Sequence, residues 1–323
     1  MQEGVLFRQL RKDRGLRLQQ VADELNSVSF ISKFEKGASN ITTHRLARLL
    51  ENINVTIEEF LFLRHPEQRA FSPGEIYMSS PFLDVLDRIV AVTEQFKLAA
   101  MSDYDQKALV DFQQIEHELK QGAAQWQKFL LLYVECLIRV SQFNLQKERE
   151  VPALFAELHV KTRPFVRYLY QIENWGVFEV LLFRHLQFAL PLETIHQLLP
   201  TALSRTEKEL ALPLMRKTRM RLIFSTVAMF LNFRKTTWAK ETLVLAESKL
   251  KNANDLTNST CLLFYRGWYQ IIAESDIQGR QTCQQAISIF RVLDQPQQVT
   301  SFSDQLTIIL ANYENPANAI LIT

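Results

Sequence analysis

Scarce glycine sets the first limit on what this chain can fold into. Its 323 residues include only 8 glycines, no two of them close together. That excludes both the glycine-rich dinucleotide fingerprint and the phosphate-cradling loop of the NTPases. The 10 prolines are spread out, with none between Pro81 and Pro152. Long intervals rich in Leu, Phe, Ala, Gln and Glu favour helix. The expected fold class is all-α, with prolines kept out of helix interiors. Cys136, Cys261 and Cys283 lie far apart, each in an apolar helical pattern. They read as small buried hydrophobes in a reducing compartment, not as metal ligands or disulfides. No charged-then-apolar signal opens the chain, and its most apolar run, residues 222–231, is too short to span a bilayer. The expected location is the cytoplasm, with no membrane partner.

Residues 17–36 carry the first functional signal. Leu18, Val21, Ala22 and Leu25 recur at i, i+3, i+4 and i+7, which predicts one amphipathic helix. Asn26 and Ser27 break that pattern, and Ser27 suits the N-cap of a second helix. In the second helix Phe30, Ile31 and Phe34 share an inward side. Val28, Ser29, Ser32, Lys33 and Lys36 share the other. A face of small, hydroxylic and basic side chains suits a DNA major groove, although a plain helical hairpin with a solvated outer side fits the same pattern. Gly37 stands where a helix ends in a left-handed residue.

Charge adds weight to the DNA reading. The whole chain has a net charge of only +2, but residues 1–48 hold nine Lys/Arg against five acids. The basic excess coincides with the helix pair, as a phosphate footprint requires. Around the pair, residues 5–14 predict a first helix with Leu6 and Leu10 inward and Arg8, Arg11 and Lys12 outward. Residues 43–52 predict a fourth, capped by Thr42. A capping box at Thr56–Glu59 opens a fifth, with Phe60, Leu61 and Leu63 as its core.

Residues 18–25, the run ISKFEKG at 31–37 and the run NVTIEEF at 54–60 resemble the Cro/repressor-type (XRE) DNA-binding domain. The resemblance implies double-stranded operator DNA as a partner. Members usually carry Gln at the start of the second helix to hold phosphate. Leu18 occupies that place here, so Arg17 and Gln19 are the expected anchors. By motif position Val28, Ser29 and Lys33 face bases, with Ser32 and Lys36 on the same side. Thr43, Arg45 and Arg48 lie near the DNA backbone.

The expected organisation is a DNA-binding domain at 1–64, a Pro- and Gly-containing linker at 65–80, and a helical domain at 81–323. Helical patterns run over 82–100, 103–121, 124–145, 148–158, 163–173, 175–189, 191–200, 207–233, 235–252, 257–274, 279–293 and 296–313. Pro164, Pro191 and Pro296 are read as first-turn prolines. Many of these segments are apolar on more than one side, which calls for neighbours on both, as in tetratricopeptide-like stacks of helix pairs. No regular 34-residue signature is visible.

YLYQIENWG at 168–176 and FEVLLF at 178–183 resemble the central segment of the Rgg/GadR/MutR transcription regulators. The run SFISKFEKGASNITTHRL in the N-terminal module supports the same resemblance. It implies a homodimer whose repeat domain binds a short hydrophobic signalling peptide after import, a quorum-sensing arrangement of Gram-positive bacteria.

A peptide groove needs polar groups and apolar pockets on one face. The candidates are Arg221, Ser225, Met229 and Asn232 on one stripe, Arg139 on another with Lys128, Glu135 and Gln142, then Arg184, Tyr265 and Tyr269. Each stripe is also explained as the wet side of its own helix. Trp175–Gly176 reads as packing at a sharp helix junction. Candidate dimer surfaces are residues 82–121 and the C-terminal end. No catalytic constellation is seen. Glu193–His196 is a single Glu-x-x-His, the six histidines do not cluster, and Cys136 has apolar flanks. No cofactor is expected. The alternative is a helical-repeat adaptor without specific DNA binding.

Overall fold

The computed structural model describes residues 2–64, 81–95, 101–146, 150–209, 212–251 and 253–314. The expected linker, 65–80, lies outside them. The chain divides into two compact units, residues 1–84 and 85–323. Among the described residues every regular element is helical.

The first unit, hereafter the head, contains α1 (Glu3–Asp13), α2 (Leu18–Val21), α3 (Val28–Glu35), α4 (Thr43–Glu51) and α5 (Ile57–Arg64). Its core includes Phe7, Val21, Ile31, Leu49, Ile53 and Phe60, all completely buried. Local chemistry sets the helix ends. The hydroxyls of Ser27, Thr42 and Thr56 accept from the amides of Phe30 (3.3 Å), Arg45 (3.4 Å) and Glu59 (3.1 Å). At the end of α3, Gly37 takes φ +70°. The Gly37 amide donates to Phe34 O and the Ala38 amide to Lys33 O, both at 2.9 Å, a Schellman closure.

Two expectations for α1 and α2 fail. The second helix is one turn long, because Ala22 is already extended and Leu25 is 40% exposed. The Asp23 carboxylate accepts from the amides of Leu25 (3.0 Å) and Asn26 (2.8 Å) and from Asn52 Nδ2 (2.9 Å). These bonds offer the backbone an alternative to helix. Arg11, expected outward, is buried. Its guanidinium donates to both carboxylate oxygens of the equally buried Glu35, at 2.6 and 2.8 Å, and to Leu16 O at 2.5 Å. Periodicity had no means of showing Glu35, 24 residues away, as the partner.

α6 (Pro81–Gln95) spans the division between the units. The second unit, the body, continues with α7 (Met101–Lys120), α8 (Gln125–Asn144), α9 (Val151–Gln171), α10 (Val177–Leu186), α11 (Leu192–Arg205), α12 (Pro213–Asn232), α13 (Thr236–Leu250), α14 (Leu256–Ala273), α15 (Asp276–Val292) and α16 (Pro296–Glu314). α7 packs on α8, α8 on α9, and each helix from α11 to α15 on the next. The even-numbered ones also meet in the series α8, α10, α12, α14, α16, whereas α9, α11, α13 and α15 meet one another weakly at most. In stacked helix pairs, the layer whose members approach each other is the inner one. The even-numbered helices therefore form the inner face of the body. α12 sits in the middle of that layer, and residues 222–231 are buried without interruption.

Prolines mislead in two places. α9 runs unbroken through Pro164 where two helices were expected, and α11 continues past Pro200 to Arg205. Interior proline removes one backbone bond and destabilises a helix by roughly 3 kcal/mol, so packing must outweigh propensity here. Leu158 and Phe165 of α9, completely buried, and Leu198 and Ala202 of α11, at most 1% exposed, supply that packing. Conversely, α12 begins at Pro213 and not at 207, where a separate 3-10 turn covers Glu207–Glu209. Proline at the first helical position forfeits no bond.

Gly279 was read as a helix start but lies inside α15. A Cβ there would sit 2.5 Å from Ile271 N and 2.6 Å from Gly267 O. Gly267 and Gly279 face each other and let the α14 and α15 backbones touch. The α9–α10 corner is fixed as expected. Trp175 is completely buried, donates from Nε1 to Leu169 O (3.3 Å) and meets Phe183 edge-on. Arg205 of α11 caps the end of α9 by donating to the carbonyls of Leu169 (3.0 Å), Tyr170 (3.3 Å) and Ile172. Cys136 and Cys283 are buried and Cys261 half-buried. Burial pushes all three thiols up to about 12.

Candidate nucleic-acid interface and inner helical face

α3 presents the side expected of it. Val28 is 38% exposed, Ser29, Lys33 and Lys36 are exposed, and Ser32 is half-buried. Opposite them, Ile31, Phe34 and Glu35 point into the core. Arg17 and Gln19 are exposed at the start of α2, where Gln20 Oε1 accepts from the Arg17 amide at 2.8 Å. Thr43 is exposed in the first turn of α4.

The two arginines of α4 differ. Arg48 bonds to Asp23 (3.2 Å) and Glu51 (3.0 Å). Arg45 instead lies over the ring of Phe30, its guanidinium carbon 4.6 Å from the centroid. Phe30, expected inside, is half-buried and forms that platform. Beside it the completely buried Asn26 donates from Nδ2 to Arg45 O at 3.3 Å. Sequence reasoning took Asn26 only as a helix breaker. An amide between two amphipathic segments was the available hint.

The expected groove residues do not form one open stripe. Ser225 is buried, and its hydroxyl donates to Gln187 Oε1 at 2.8 Å, while Gln187 Nε2 donates to the Thr226 hydroxyl at 2.6 Å. Met229 is 1% exposed. Both are enclosed because α12 has α10, α11, α13 and α14 around it. Asn232 is half-buried and lines a small cavity of about 60 Å³ with Trp268, Ile309 and Asn312. Arg139 pairs with Glu157 at 2.7 Å and its stripe-mate Glu135 with Lys161 at 2.7 Å, so that side of α8 is tied to α9.

A smaller group does assemble on the inner face. Arg221 is the one exposed residue between 217 and 231. Half-buried Tyr265 stacks on Phe224 (5.0 Å, 6°) and on Trp268 (6.0 Å, 25°), with Tyr269, also half-buried, one turn further along α14. Arg184 Nη1 lies 3.0 Å from His185 Nε2. Burial, then the charges of Arg184 and Arg221, hold His185 well below its ordinary value. Burial and the Arg221 charge likewise lower Lys217. Cationic side chains from α10 and α12 thus gather beside an aromatic wall on α12 and α14.

Among the described residues no group of three or more His, Cys, Asp or Glu is placed to hold a metal, and no helix is long and apolar enough to cross a membrane. A five-helix head with a capped, outward-facing α3, joined to a stack of helix pairs, defines the class of helix-turn-helix transcriptional regulators. Residues 7–60 match the helix-turn-helix family model, and residues 113–304 match that of the HTH-type transcriptional regulator Rgg, C-terminal domain. The chain belongs to the Rgg family of transcriptional regulators.

Solved structures with this fold include a putative transcriptional regulator from Listeria monocytogenes EGD-e, at 18% identity and TM-score 0.74 over 97% of this chain and 98% of that one. The SHP pheromone receptor Rgg2 of Streptococcus dysgalactiae is similar at 18% identity and TM-score 0.65, over 95% and 99%. A bacterial peptide pheromone/receptor complex is similar at 15% identity and TM-score 0.61, over 96% and 99%.

Proposed function

We propose that this Rgg-family regulator binds operator DNA through its head and senses a short imported peptide on the inner face of its body, acting as a cytoplasmic homodimer. The observation that carries the DNA half is the exposed row Val28, Ser29 and Lys33 on a rigidly capped α3. Arg17, Gln19, Thr43 and Arg45 flank it as backbone contacts. A two-fold dimer would present two such helices to half-sites at fixed spacing.

For the peptide half, similar folds include a pheromone receptor and a peptide pheromone/receptor complex. The group Arg184, Lys217, Arg221 and Tyr265 supports an inner-face site that takes an acidic group, a side-chain carboxylate or a chain end, beside an apolar residue. The peptide would act by preferring one of two arrangements of the protein.

A mobility shift on the DNA flanking its own gene tests the first half. Specific binding that weakens steeply with salt is expected, and absence of any specific shift, with or without short hydrophobic peptides, refutes it. Lys33→Ala should relax sequence preference. Arg221→Ala should abolish the peptide response while leaving peptide-free DNA binding intact, and a surviving response moves the site elsewhere.

A further inference from the structure

The head has seven arginines among its described residues, and five face carboxylates. Arg11 and Arg8 approach Glu35, Arg14 approaches Glu59, Arg48 pairs with Asp23 and Glu51, and Arg64 pairs with Glu3. Arg17 and Arg45 have no such partner there, and of these two only Arg45 has its guanidinium set against another side chain. Its amide is capped by Thr42, its carbonyl is gripped by Asn26, and its guanidinium lies over the ring of Phe30. A ring attracts a guanidinium through its face and leaves the in-plane N–H donors unused. A carboxylate partner would have consumed those donors and neutralised the charge. Phe30 belongs to α3, so the platform also ties the Arg45 side chain to the helix that carries Val28, Ser29 and Lys33.

We propose that Phe30 is a positioning residue for DNA binding, whose ring holds the Arg45 guanidinium ready to clamp a backbone phosphate next to the α3 contacts. The proposal rests on the DNA-binding reading of the head. Phe30 itself touches no base. It restricts Arg45 in the free protein, so that less side-chain freedom is lost on binding.

Fluorescence anisotropy on the full chain tests this, with a duplex from the promoter of its own gene and a scrambled duplex of equal length, each titrated with KCl. Arg45→Ala should weaken both complexes and reduce the salt slope by about one. Phe30→Leu should weaken both by about three- to fivefold, the scale of a partly exposed cation–π contact. Phe30→Tyr and Phe30→Trp, which keep a ring, should stay within about twofold of wild type. In an Arg45→Ala background, Phe30→Leu should add nothing. Equal losses from Phe30→Leu with and without Arg45, or failure of Tyr and Trp to rescue, would make Phe30 a merely structural residue and overturn the proposal. Arg45→Ala with unchanged affinity and slope overturns it too. Should Phe30→Leu lower the melting temperature, Phe30→Met takes its place in the cycle. Wild-type protein that binds neither duplex in a salt-dependent way marks failure of the DNA reading itself, and the proposal falls with it.

Discussion

Head and body use buried charge in opposite ways. In the head, Arg11 and Glu35 are both shut inside, 8% and 5% exposed at the side chain, within helices of only 4 to 11 residues. In the body, Arg219 is 4% exposed but reaches out to Glu207, 58% exposed, and to Thr206 O at 3.2 Å. A small unit buries a smaller share of its surface and has less apolar packing to define its geometry. The bidentate pair in the head fixes α1 against α3 by direction. The body has large aromatic residues and helices packed on several sides, so its arginine works as a local clasp on the end of α11.

The largest expected effect follows from that contrast. Glu35→Ala strands the Arg11 charge in the core and should destabilise the head by about 3–5 kcal/mol, abolishing DNA binding at moderate temperature. Glu207→Ala removes a carboxylate that is itself 58% exposed and leaves Arg219 its bond to Thr206 O, and should cost clearly less than Glu35→Ala. The two units can be watched separately. All four tryptophans, Trp126, Trp175, Trp238 and Trp268, lie in the body, so tryptophan fluorescence follows the body while DNA affinity follows the head. Comparable losses from the two substitutions would break the comparison. An Arg11→Met, Glu35→Leu double variant that regains stability would sharpen it, because such a pair contributes direction more than energy.

Glycine divides the units along a similar line. Gly37 in the head serves through its φ of +70° and has only the Gln2 side chain nearby, 3.3 Å from an added Cβ. Gly279 in the body serves through closeness, with backbone atoms of α14 at 2.5 and 2.6 Å from an added Cβ. Gly279→Ala should therefore lower body stability by about 1–3 kcal/mol, the range for overpacking, and Gly37→Ala lower head stability by about 1 kcal/mol. Gly37→Asn should be nearly neutral, since Asn tolerates the left-handed region, while Gly279→Ser should be as damaging as alanine. Chemical denaturation of the four variants, read by the two probes, decides it.

What the sequence disclosed follows the reach of each interaction. Ser27, Thr42, Thr56 and Gly37 act on amides or carbonyls within four residues, and every helix end they set in the head was legible. The shortness of α2 was not, because Asp23 is held partly by Asn52, 29 residues on. Pro164 and Pro200 looked like boundaries because their local penalty is visible and the packing that overrides it is not. The inner face was harder still. Ser225 and Met229 share a stripe with Arg221, yet only the arrangement of α10, α11, α13 and α14 decides that the stripe closes after Arg221. Phe30 was placed inside by periodicity, and its use as a platform required knowing that Arg45 comes to lie over its ring.

The smallest effects expected are in acid, and they fall in different windows. In the head, burial pushes the Asp23 carboxyl up, but bonds from Asn52, Asn26 and Leu25 and the Arg48 charge outweigh it, so it lies below the ordinary 3.8. A depressed carboxyl stabilises the fold at every pH above the unfolded value and loses that contribution as pH falls through the folded one. The head should therefore lose stability from this group only below about pH 4. In the body, His185 lies well below its ordinary 6.5, because burial and then Arg184 and Arg221 disfavour its charged form. Between 6.5 and its folded value the unfolded chain takes up a proton that the folded body refuses, so stability falls from about pH 6.5 downward. Tryptophan-monitored melts should decline between pH 7 and 5, and His185→Phe, which can keep the ring contact with Tyr133 at 5.7 Å, should flatten that decline. Asp23→Asn should leave it unchanged. A body whose melting temperature is level from pH 7 to 5 would place His185 in contact with water.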